Sequence, residues 1–255
     1  MARAGIQIYT LREIAQKDLQ TAIHMVKDAG YQGIEFDAGM LARANPDQLK
    51  RWMDEAGLAI IGLTLLLPEI SSLLEPMLEY ALETGAEWLV MPWIDEKFRQ
   101  ELYQYQNVAN LLNHAGRHAA EKGLRFAYHI HGYEFESYGN KSGFDVLIEE
   151  LDPDLVEIQV DTFWVASGGL NIVEFSNNYI DRIGSFHLKD AASLSPLKDI
   201  EVGEGILDIQ AIVQLGIEHN IDWFIVEQEA PTDNIFDSIK TSCLNLQQML
   251  NKAVG

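Results

Sequence analysis

Residues 156–190 decide the fold class, and they read VEIQVDTFWVASGGLNIVEFSNNYIDRIGSFHLKD. At each end lies a short run in which apolar and polar residues alternate, 156–161 and 184–189, and this alternation is typical of β-strands. Residues 172–183 between them have apolar side chains at helical spacing. A strand, a helix and a second strand in this order form a unit whose two strands run parallel.

Strand-like and helix-like segments keep alternating on both sides of this unit. The predicted strands are residues 5–9, 33–37, 59–64, 88–92, 124–131, 156–161, 184–189 and 223–229. The predicted helices end at Gly30, at Gly57 (after a start at Asn45) and at Gly85 (after a start near Pro76), or cover residues 104–122, 144–151, 172–183, 208–219 and 234–252. Eight such units in 255 residues predict an α/β protein with one (β/α)8 TIM barrel domain over residues 1–255, since about 250 residues is typical of that barrel.

The composition narrows the range of partners. The chain has 39 acidic and 18 basic residues, a formal net charge of -21, and this charge repels nucleic acid. No apolar run approaches the roughly 18 residues of a membrane span, and the N-terminus lacks the apolar segment of a signal peptide. We therefore expect a cytoplasmic protein whose partner is a small molecule, with no nucleic acid or membrane partner and with a homodimer left open. The lone Cys243 excludes a disulfide within the chain.

Alternation within the strands sorts their side chains into two faces. The apolar face is expected to contact the helices, so the polar face must line the barrel. That polar set is Gln7, Tyr9, Glu35, Asp37, His129, His131, Glu157, Gln159, Asp161, Ser185, His187, Lys189, Glu227 and Glu229. Buried charges are costly unless they are paired or bound to a metal. A salt-bridge network among Lys189, Glu227 and Glu157 is one explanation, and an active site at the ends of the strands is the other.

A metal site is the sharper hypothesis. Asp161, His187 and Glu227 lie at the ends of strands six, seven and eight, and Glu134 follows strand five just after Gly132. Three carboxylates and one imidazole form an oxygen-rich set of ligands for one divalent ion. Mn²⁺, Mg²⁺ and Zn²⁺ all suit such a set, and the sequence does not choose among them.

Several segments resemble the sugar phosphate isomerase/epimerase family, which belongs to the xylose isomerase-like TIM barrel superfamily. They are, in chain order, GIQIYTLR (5–12), HIHGYEF (129–135), VDTFW (160–164), FHLKD (186–190), GEG (203–205) and IVE (225–227). The resemblance implies that Glu134, Asp161, His187 and Glu227 bind the metal. The chain departs from the family where ketose 3-epimerases have a carboxylate inside strand five, because His129 stands there. The strand-five ligand is therefore Glu134, His129 or His131.

The resemblance implies a metal-dependent isomerase or epimerase that transfers a proton next to the carbonyl of a small sugar, keto-sugar or cyclitol. Glu134 and Glu227 are the expected catalytic residues, one on each face of the substrate. The expected substrate contacts are Gln7, Tyr9, Glu35, His129, His131, Trp164 and Lys189. The alternative is a metal-dependent dehydratase of an inosose-like or dehydroshikimate-like compound. An inactive sugar-binding barrel is less favoured, and the net charge argues against the DNA-repair endonucleases of the superfamily.

Overall fold

Eight parallel strands close into a barrel in the computed structural model, which describes residues 2–37, 39, 44–230 and 234–254. The strands are β1 (Arg3–Gln7), β2 (Gly33–Phe36), β3 (Ala59–Thr64), β4 (Trp88–Met91), β5 (Arg125–His129), β6 (Glu157–Asp161), β7 (Ile183–Leu188) and β8 (Trp223–Val226). Each strand pairs with the next along the chain, and β8 pairs with β1. The predicted single-domain (β/α)8 barrel is confirmed.

Helices connect the strands on the outside of the barrel. They are Arg12–Ala15, Leu19–Ala29, Pro46–Ala56, Ile70–Thr84, Leu102–Glu121, Gly143–Glu150, Thr162–Ser167, Ile172–Asn178, Ile209–Glu218 and Ile235–Val254. Within the described part of the chain, no helix combines the length and the apolar character that a membrane span needs.

One helix begins and ends at the capping residues predicted from the sequence, whereas another begins earlier than its proline predicts. The side chain of Asn45 caps the helix Pro46–Ala56, and Gly57 ends it with φ of 69°, as the sequence predicts. The helix expected to begin near Pro76 begins at Ile70 instead. Ile70, Leu74 and Leu78 are all buried at four-residue spacing, so packing of this apolar stripe outweighs the backbone hydrogen bond that Pro76 cannot donate.

Several strands end earlier than the polar alternation predicts. The last register pair of β1 and β2 is Gln7 with Glu35, and that of β5 and β6 is His129 with Gln159. A strand ends where its neighbours offer no further hydrogen bonds, so Tyr9 falls in the 3₁₀ turn Ile8–Leu11 rather than in a strand. The polar residues beyond these pairs belong to the loops at the mouth of the barrel.

The barrel interior has an apolar half and a polar half. Six buried side chains fill the end where the strands begin: Ile61, Trp88, Val90, Ala127, Trp223 and Ile225. The expectation of a mostly polar interior is therefore correct only for the half where the strands end. A separate and larger apolar core packs between the strands and the helices.

Charged residues close the bottom of the barrel, where the strands begin. The guanidinium carbon of Arg3 lies 3.8 Å from the Trp223 ring centroid, and the Trp223 Nε1–H donates to Glu87 at 3.1 Å. Arg125 stacks on Trp88 at 3.6 Å, and its Nε–H donates to Glu157 at 2.8 Å. Glu157 is thus paired with Arg125 and not with Lys189 or Glu227, so the salt-bridge network considered from the sequence does not form.

A hairpin of two antiparallel strands, Asp190–Leu194 and Leu197–Ile200, rises from the end of β7 to the mouth of the barrel. Its base is held by the buried Asp190 carboxylate, which accepts hydrogen bonds from the backbone N–H groups of Ala191, Gly203, Gly205 and Leu207 at 2.8–3.2 Å. A Cβ at residue 205 would lie 2.2 Å from Asp190 Oδ1, so this close approach requires Gly205. A shorter hairpin, Ser137–Tyr138 with Lys141–Ser142, follows β5.

Candidate metal centre and its cavity

A cavity of about 840 Å³ opens where the barrel strands end, the position of active sites in TIM barrels. Of the sequence-predicted site residues, the cavity wall includes Gln7, Tyr9, Glu35, His129, His131, Trp164, His187 and Glu227. Glu134, Asp161 and Lys189 are not part of that wall. Three acidic residues that were not selected as site residues from the sequence, Asp37, Glu136 and Glu229, are part of it.

Four buried side chains meet at the floor of the cavity. His129, Asp161, His187 and Glu227 come from the ends of β5, β6, β7 and β8, and one donor atom of each lies within 4.8 Å of those of the others. Asp161 Oδ1 accepts the backbone N–H of Trp164 at 2.9 Å. Asp161 Oδ2 is buried and has no hydrogen-bond partner among the described residues. An ionised carboxylate oxygen that is buried without a donor is stabilised by a nearby positive charge, so this metal-ligand cluster fits a bound cation.

Glu134 lies outside the cluster, although it was the first choice for the strand-five ligand. It sits in the 3₁₀ turn Tyr133–Phe135 and is fully buried. Its carboxylate accepts hydrogen bonds from the Tyr128 hydroxyl and from the backbone N–H of His131, the latter at 3.0 Å. Burial raises the pKa of Glu134 to about 7. Because the chain turns after Ile130, this side chain folds back onto Tyr128, and His129 occupies the place beside Asp161.

Opposite charges surround His187. Its Nδ1 lies 2.9 Å from Glu227 Oε2 and its Nε2 lies 2.9 Å from Glu35 Oε1. Burial alone would lower the pKa of His187, but the charges and hydrogen bonds of Glu35 and Glu227 outweigh it and raise that pKa to about 10. The hydrogen bond from His187 and the charge of Lys189 likewise outweigh burial at Glu227 and hold its pKa far below the usual range.

His129 and Asp161 are shifted mainly by burial. Burial, reinforced by repulsion from His187, lowers the pKa of His129 to about 4, so this ring is neutral at physiological pH and has a lone pair for a ligand. Burial raises the pKa of Asp161 to about 7, against the opposing charge of Lys189. A cation at the cluster would reverse the shift at Asp161, since it would stabilise the carboxylate.

Three of the predicted substrate contacts are engaged by neighbouring side chains. Glu35 accepts hydrogen bonds from Gln7 Nε2 at 2.7 Å and from Gln159 Nε2 at 2.8 Å, in addition to its contact with His187. Lys189 is buried, lies 4.8 Å from the ring centroid of Trp164 and pairs with Glu229. It is Glu229 that reaches the cavity wall. Gln159 and Glu229 were both on the predicted polar face, and that alternation was the signal for them.

One wall of the cavity is aromatic. The ring of His131 stacks on Tyr133 with a centroid distance of 5.3 Å and an angle of 10°. Trp93 contacts His131 edge-on at 5.6 Å, and Trp164 is tilted against it at 5.4 Å. The Nδ1 atom of His131 is buried and has no hydrogen-bond partner among the described residues. This wall offers aromatic ring faces, which suit the apolar face of a ring bearing hydroxyl groups.

The sequence of the barrel matches a known family over most of its length. Residues 23–246 match the family model described as xylose isomerase-like TIM barrel. The chain belongs to this family. The family resemblance expected from the sequence motifs is thereby confirmed.

Individual relatives are more distant. The chain is 30% identical over 156 residues to an inosose dehydratase from Clostridium botulinum, and the match covers 54% of this chain. The chain spans about half the length of that relative, 51%. A crystal structure of a sugar phosphate isomerase/epimerase from Parabacteroides distasonis is 20% identical, with a TM-score of 0.84 over 100% of this chain and 96% of the other.

A third similarity concerns a structure with a metal. The IolI protein with a bound zinc atom is 15% identical to this chain, with a TM-score of 0.76 over 98% of this chain and 99% of the other. At these identities the two solved structures show the shared fold. The sequence relative and the first of these structures are named for enzyme activities.

Proposed function

We propose that this protein is a divalent-metal-dependent dehydratase that removes water from a small polyhydroxylated cyclic ketone. The observation that carries the proposal is the metal-ligand cluster with its unpaired Asp161 oxygen at the floor of a cavity lined by polar and aromatic groups. A bound metal would polarise the carbonyl and an adjacent hydroxyl of the substrate, which makes the neighbouring C–H bond more acidic.

His129, Asp161, His187 and Glu227 would hold the metal. Two imidazole nitrogens and two carboxylate oxygens suit Zn²⁺ or Mn²⁺ better than Mg²⁺, which prefers oxygen ligands. In this set His129 takes the place expected for Glu134, because the cluster contains a donor atom of His129 and none of Glu134.

His131 is the proposed acid–base residue. Burial, with repulsion from His129 next in size, keeps the pKa of His131 well below its usual value, so its ring is neutral at physiological pH. A neutral imidazole on the cavity wall can take the proton from the carbon next to the carbonyl. The same group, then protonated, can give that proton to the hydroxyl leaving from the next carbon. One C–H bond and one C–O bond break, a C=C bond forms and one water leaves.

Dehydration needs one such group, whereas epimerisation needs two on opposite faces of the substrate. The second group expected from the sequence was Glu134, and its carboxylate is bonded to Tyr128 and the His131 backbone and is absent from the cavity wall. The name of the sequence relative, inosose dehydratase, supports dehydration of a cyclitol ketone.

An epimerase is the second candidate, and one observation favours it. Glu136 lies on the cavity wall after β5, and Glu227 lies on the wall after β8. These strands are separated by two others around the barrel, so their carboxylates approach from different sides. Glu136 would then take the role that the sequence assigned to Glu134.

A product-resolved screen separates the two candidates. The protein loaded with Mn²⁺ or Zn²⁺ is offered inososes, 3-keto-sugars and ketohexoses, and the products are identified by mass and by NMR in D₂O. We expect a product lighter than its substrate by the mass of one water molecule, from an inosose or related cyclic ketone. A product of unchanged mass with deuterium next to the carbonyl would replace the dehydratase by the epimerase. Absence of any metal-dependent turnover would contradict both.

A further inference from the structure

The carboxylate of Glu35 contacts His187 of the metal-ligand cluster directly and is linked to His129 by hydrogen bonds through Gln159. Oε1 of Glu35 accepts from Gln7 Nε2 at 2.7 Å and lies 2.9 Å from His187 Nε2. Oε2 accepts from Gln159 Nε2 at 2.8 Å. Glu35 is only 1% exposed, so its hydrogen-bonding capacity is directed at these neighbours rather than at solvent.

This contact fixes the orientation of the Gln159 amide. An ionised carboxylate only accepts hydrogen bonds, so the NH₂ group of Gln159 must face Glu35. The same NH₂ group lies 3.1 Å from the Ser185 hydroxyl oxygen. The amide oxygen Oε1 is then turned toward His129 Nδ1, at 2.9 Å.

The orientation of Gln159 in turn fixes the proton on His129. An amide oxygen only accepts, so the neutral His129 ring carries its proton on Nδ1. Its lone pair is therefore on Nε2. Nε2 is the nitrogen that faces the cluster, 3.9 Å from Asp161 Oδ2.

Glu35 acts on His187 without an intermediary. Nε2 of His187 lies 2.9 Å from Glu35, and Nδ1 lies 2.9 Å from Glu227. Glu227 belongs to the metal-ligand cluster and Glu35 does not, so a metal beside Glu227 would take the lone pair of Nδ1, and a neutral His187 ring would keep its proton on Nε2, where Glu35 accepts it. The two histidines use opposite ring nitrogens, and one carboxylate accounts for both choices.

We propose that Glu35 is a positioning residue that sets the tautomers of His129 and His187 so that both present a lone pair to the metal. The inference rests on the metal centre of the proposed function and goes beyond it, because it assigns the control of ligand geometry to a residue that does not bind the metal. It also replaces the substrate-binding role expected for Glu35 from the sequence.

The isosteric variant Glu35→Gln tests this relay, in which Glu35 sets the tautomer of His187 directly and that of His129 through Gln159. The new amide keeps the size of the side chain but has one accepting and one donating end. Whichever way it turns, one of its two neighbours, His187 or Gln159, meets a donor where it needs an acceptor. Loss of an outer partner of a metal-binding histidine costs about 10–100-fold in metal affinity. We expect a loss of that size for Zn²⁺, measured by competition with a chelating dye.

The exchange variant Glu35→Gln with Gln159→Glu should restore most of the affinity. The carboxylate now on β6 accepts from His129 Nδ1–H and from the amide now on β2. The oxygen of that amide still accepts from His187 Nε2–H and from Gln7, and the Ser185 hydroxyl rotates to donate. The charge of the pair is unchanged. Gln159→Glu alone places two carboxylates together and should also weaken binding, so the two substitutions should be strongly non-additive.

Nitrogen NMR of the Zn²⁺-loaded proteins reads the tautomers directly. In the unmodified protein we expect the proton of His129 on Nδ1 and that of His187 on Nε2, and in Glu35→Gln at least one of these reversed. Glu157→Gln is the matched control, since it alters a carboxylate of β6 at the bottom of the barrel, and it should bind Zn²⁺ as the unmodified protein does.

Four outcomes would overturn the relay: unchanged affinity in Glu35→Gln, no recovery in the exchange variant, an equal loss in Glu157→Gln, or the opposite tautomer of either histidine in the unmodified protein. The last measurement needs no variant, so it stands even if a variant does not fold. Failure of the unmodified protein to bind Zn²⁺ would instead overturn the proposed metal centre, and the relay with it.

Discussion

Charged side chains are arranged differently at the two ends of the barrel interior. At the bottom, each cation has an aromatic ring and a carboxylate: Arg3 with Trp223 and Glu87, and Arg125 with Trp88 and Glu157. At the mouth, the carboxylates of Glu35, Asp161 and Glu227 crowd around two histidines, and an oxygen of Asp161 has no partner among the described residues. Complete pairing at one end indicates a structural closure, and a buried carboxylate oxygen without a donor at the other indicates a site prepared for a ligand.

Removal of metal-ligating side chains from the mouth should have the largest effect, and that effect is on metal binding. We expect Asp161→Ala with His187→Ala to abolish metal binding, because it deletes half of the metal-ligand cluster. The unmodified protein should gain about 2.7 kcal/mol of stability at a free Zn²⁺ concentration about 100 times Kd, and the double variant should gain none. Thermal melts with and without Zn²⁺ measure this.

The matched control for that experiment changes the other end. Glu87→Gln alters a carboxylate at the bottom of the barrel and should keep the full Zn²⁺-dependent rise in Tm. An equal rise in the double variant and in the unmodified protein would show that the metal binds elsewhere.

The next largest effect concerns turnover. His131→Asn removes the proposed acid–base group but keeps a polar side chain on the cavity wall. We expect kcat to fall on the order of 10²–10⁴-fold, with metal affinity within a few-fold of the unmodified protein. Steady-state kinetics on the substrate found in the product screen, together with metal titration, provide the two readouts. Full activity in His131→Asn, combined with loss of activity in Glu136→Gln, would transfer the role to the carboxylate and favour the epimerase.

A third prediction uses pH to compare the metal-free and metal-bound mouth. The pKa of His187 is raised to about 10, against burial, by Glu35 and Glu227, so a metal must displace a proton from this ring. Between about pH 7.5 and 9, metal affinity should therefore increase about tenfold per pH unit, since one pKa unit corresponds to about 1.4 kcal/mol.

The metal-free protein should respond in the opposite direction. The stability that protonated His187 contributes is fully present below its unfolded pKa, about 6.5, and is lost as the pH rises toward about 10.

Calorimetry in buffers of different ionisation enthalpy counts the protons released when the metal binds. Metal binding without proton release at pH 8 would contradict the prediction that His187 is protonated in the metal-free protein and becomes a metal ligand.

The smallest effect is expected at the bottom of the barrel. Arg125→Ala removes a cation stacked on Trp88 and an ion pair with Glu157, both of which are partly exposed to solvent. We expect a loss of about 1–2 kcal/mol in the free energy of unfolding with unchanged metal affinity, measured by urea denaturation and metal titration. A change in metal affinity here would break the separation between the two ends.

The sequence predicts the bounds of several strands and helices and three of the four residues of the metal-ligand cluster. Strand β3 covers residues 59–64 as predicted, and Asn45 and Gly57 bound their helix because capping is a local property. Asp161, His187 and Glu227 converge as expected, since the ends of neighbouring parallel strands must be adjacent.

What the sequence did not predict depends on the path of the chain beyond the strands. Glu134 and Glu136 are two residues apart after β5, and only the turn at residues 133–135 decides that Glu136 reaches the cavity wall. The apolar filling of the lower barrel by Trp88 and Trp223 was also missed, because the first residue of a strand gives little alternation from which to assign a face. Lys189 is on the predicted polar face, but its pairing with Glu229 depends on a loop after β8.

Among the described residues, the hydrogen bonds that hold the hairpin at the mouth lie near its base and along one side. Asp190 ties its root to the backbone of residues 203–207, and Asp199 accepts the backbone N–H of Ala230 at 3.1 Å. The tip between Leu194 and Leu197 contains no cluster residue, yet Leu197 borders the cavity. The tip is thus an exchangeable module: its length and side chains can be redesigned to widen or narrow the entrance while the chemistry beneath it keeps the same ligands.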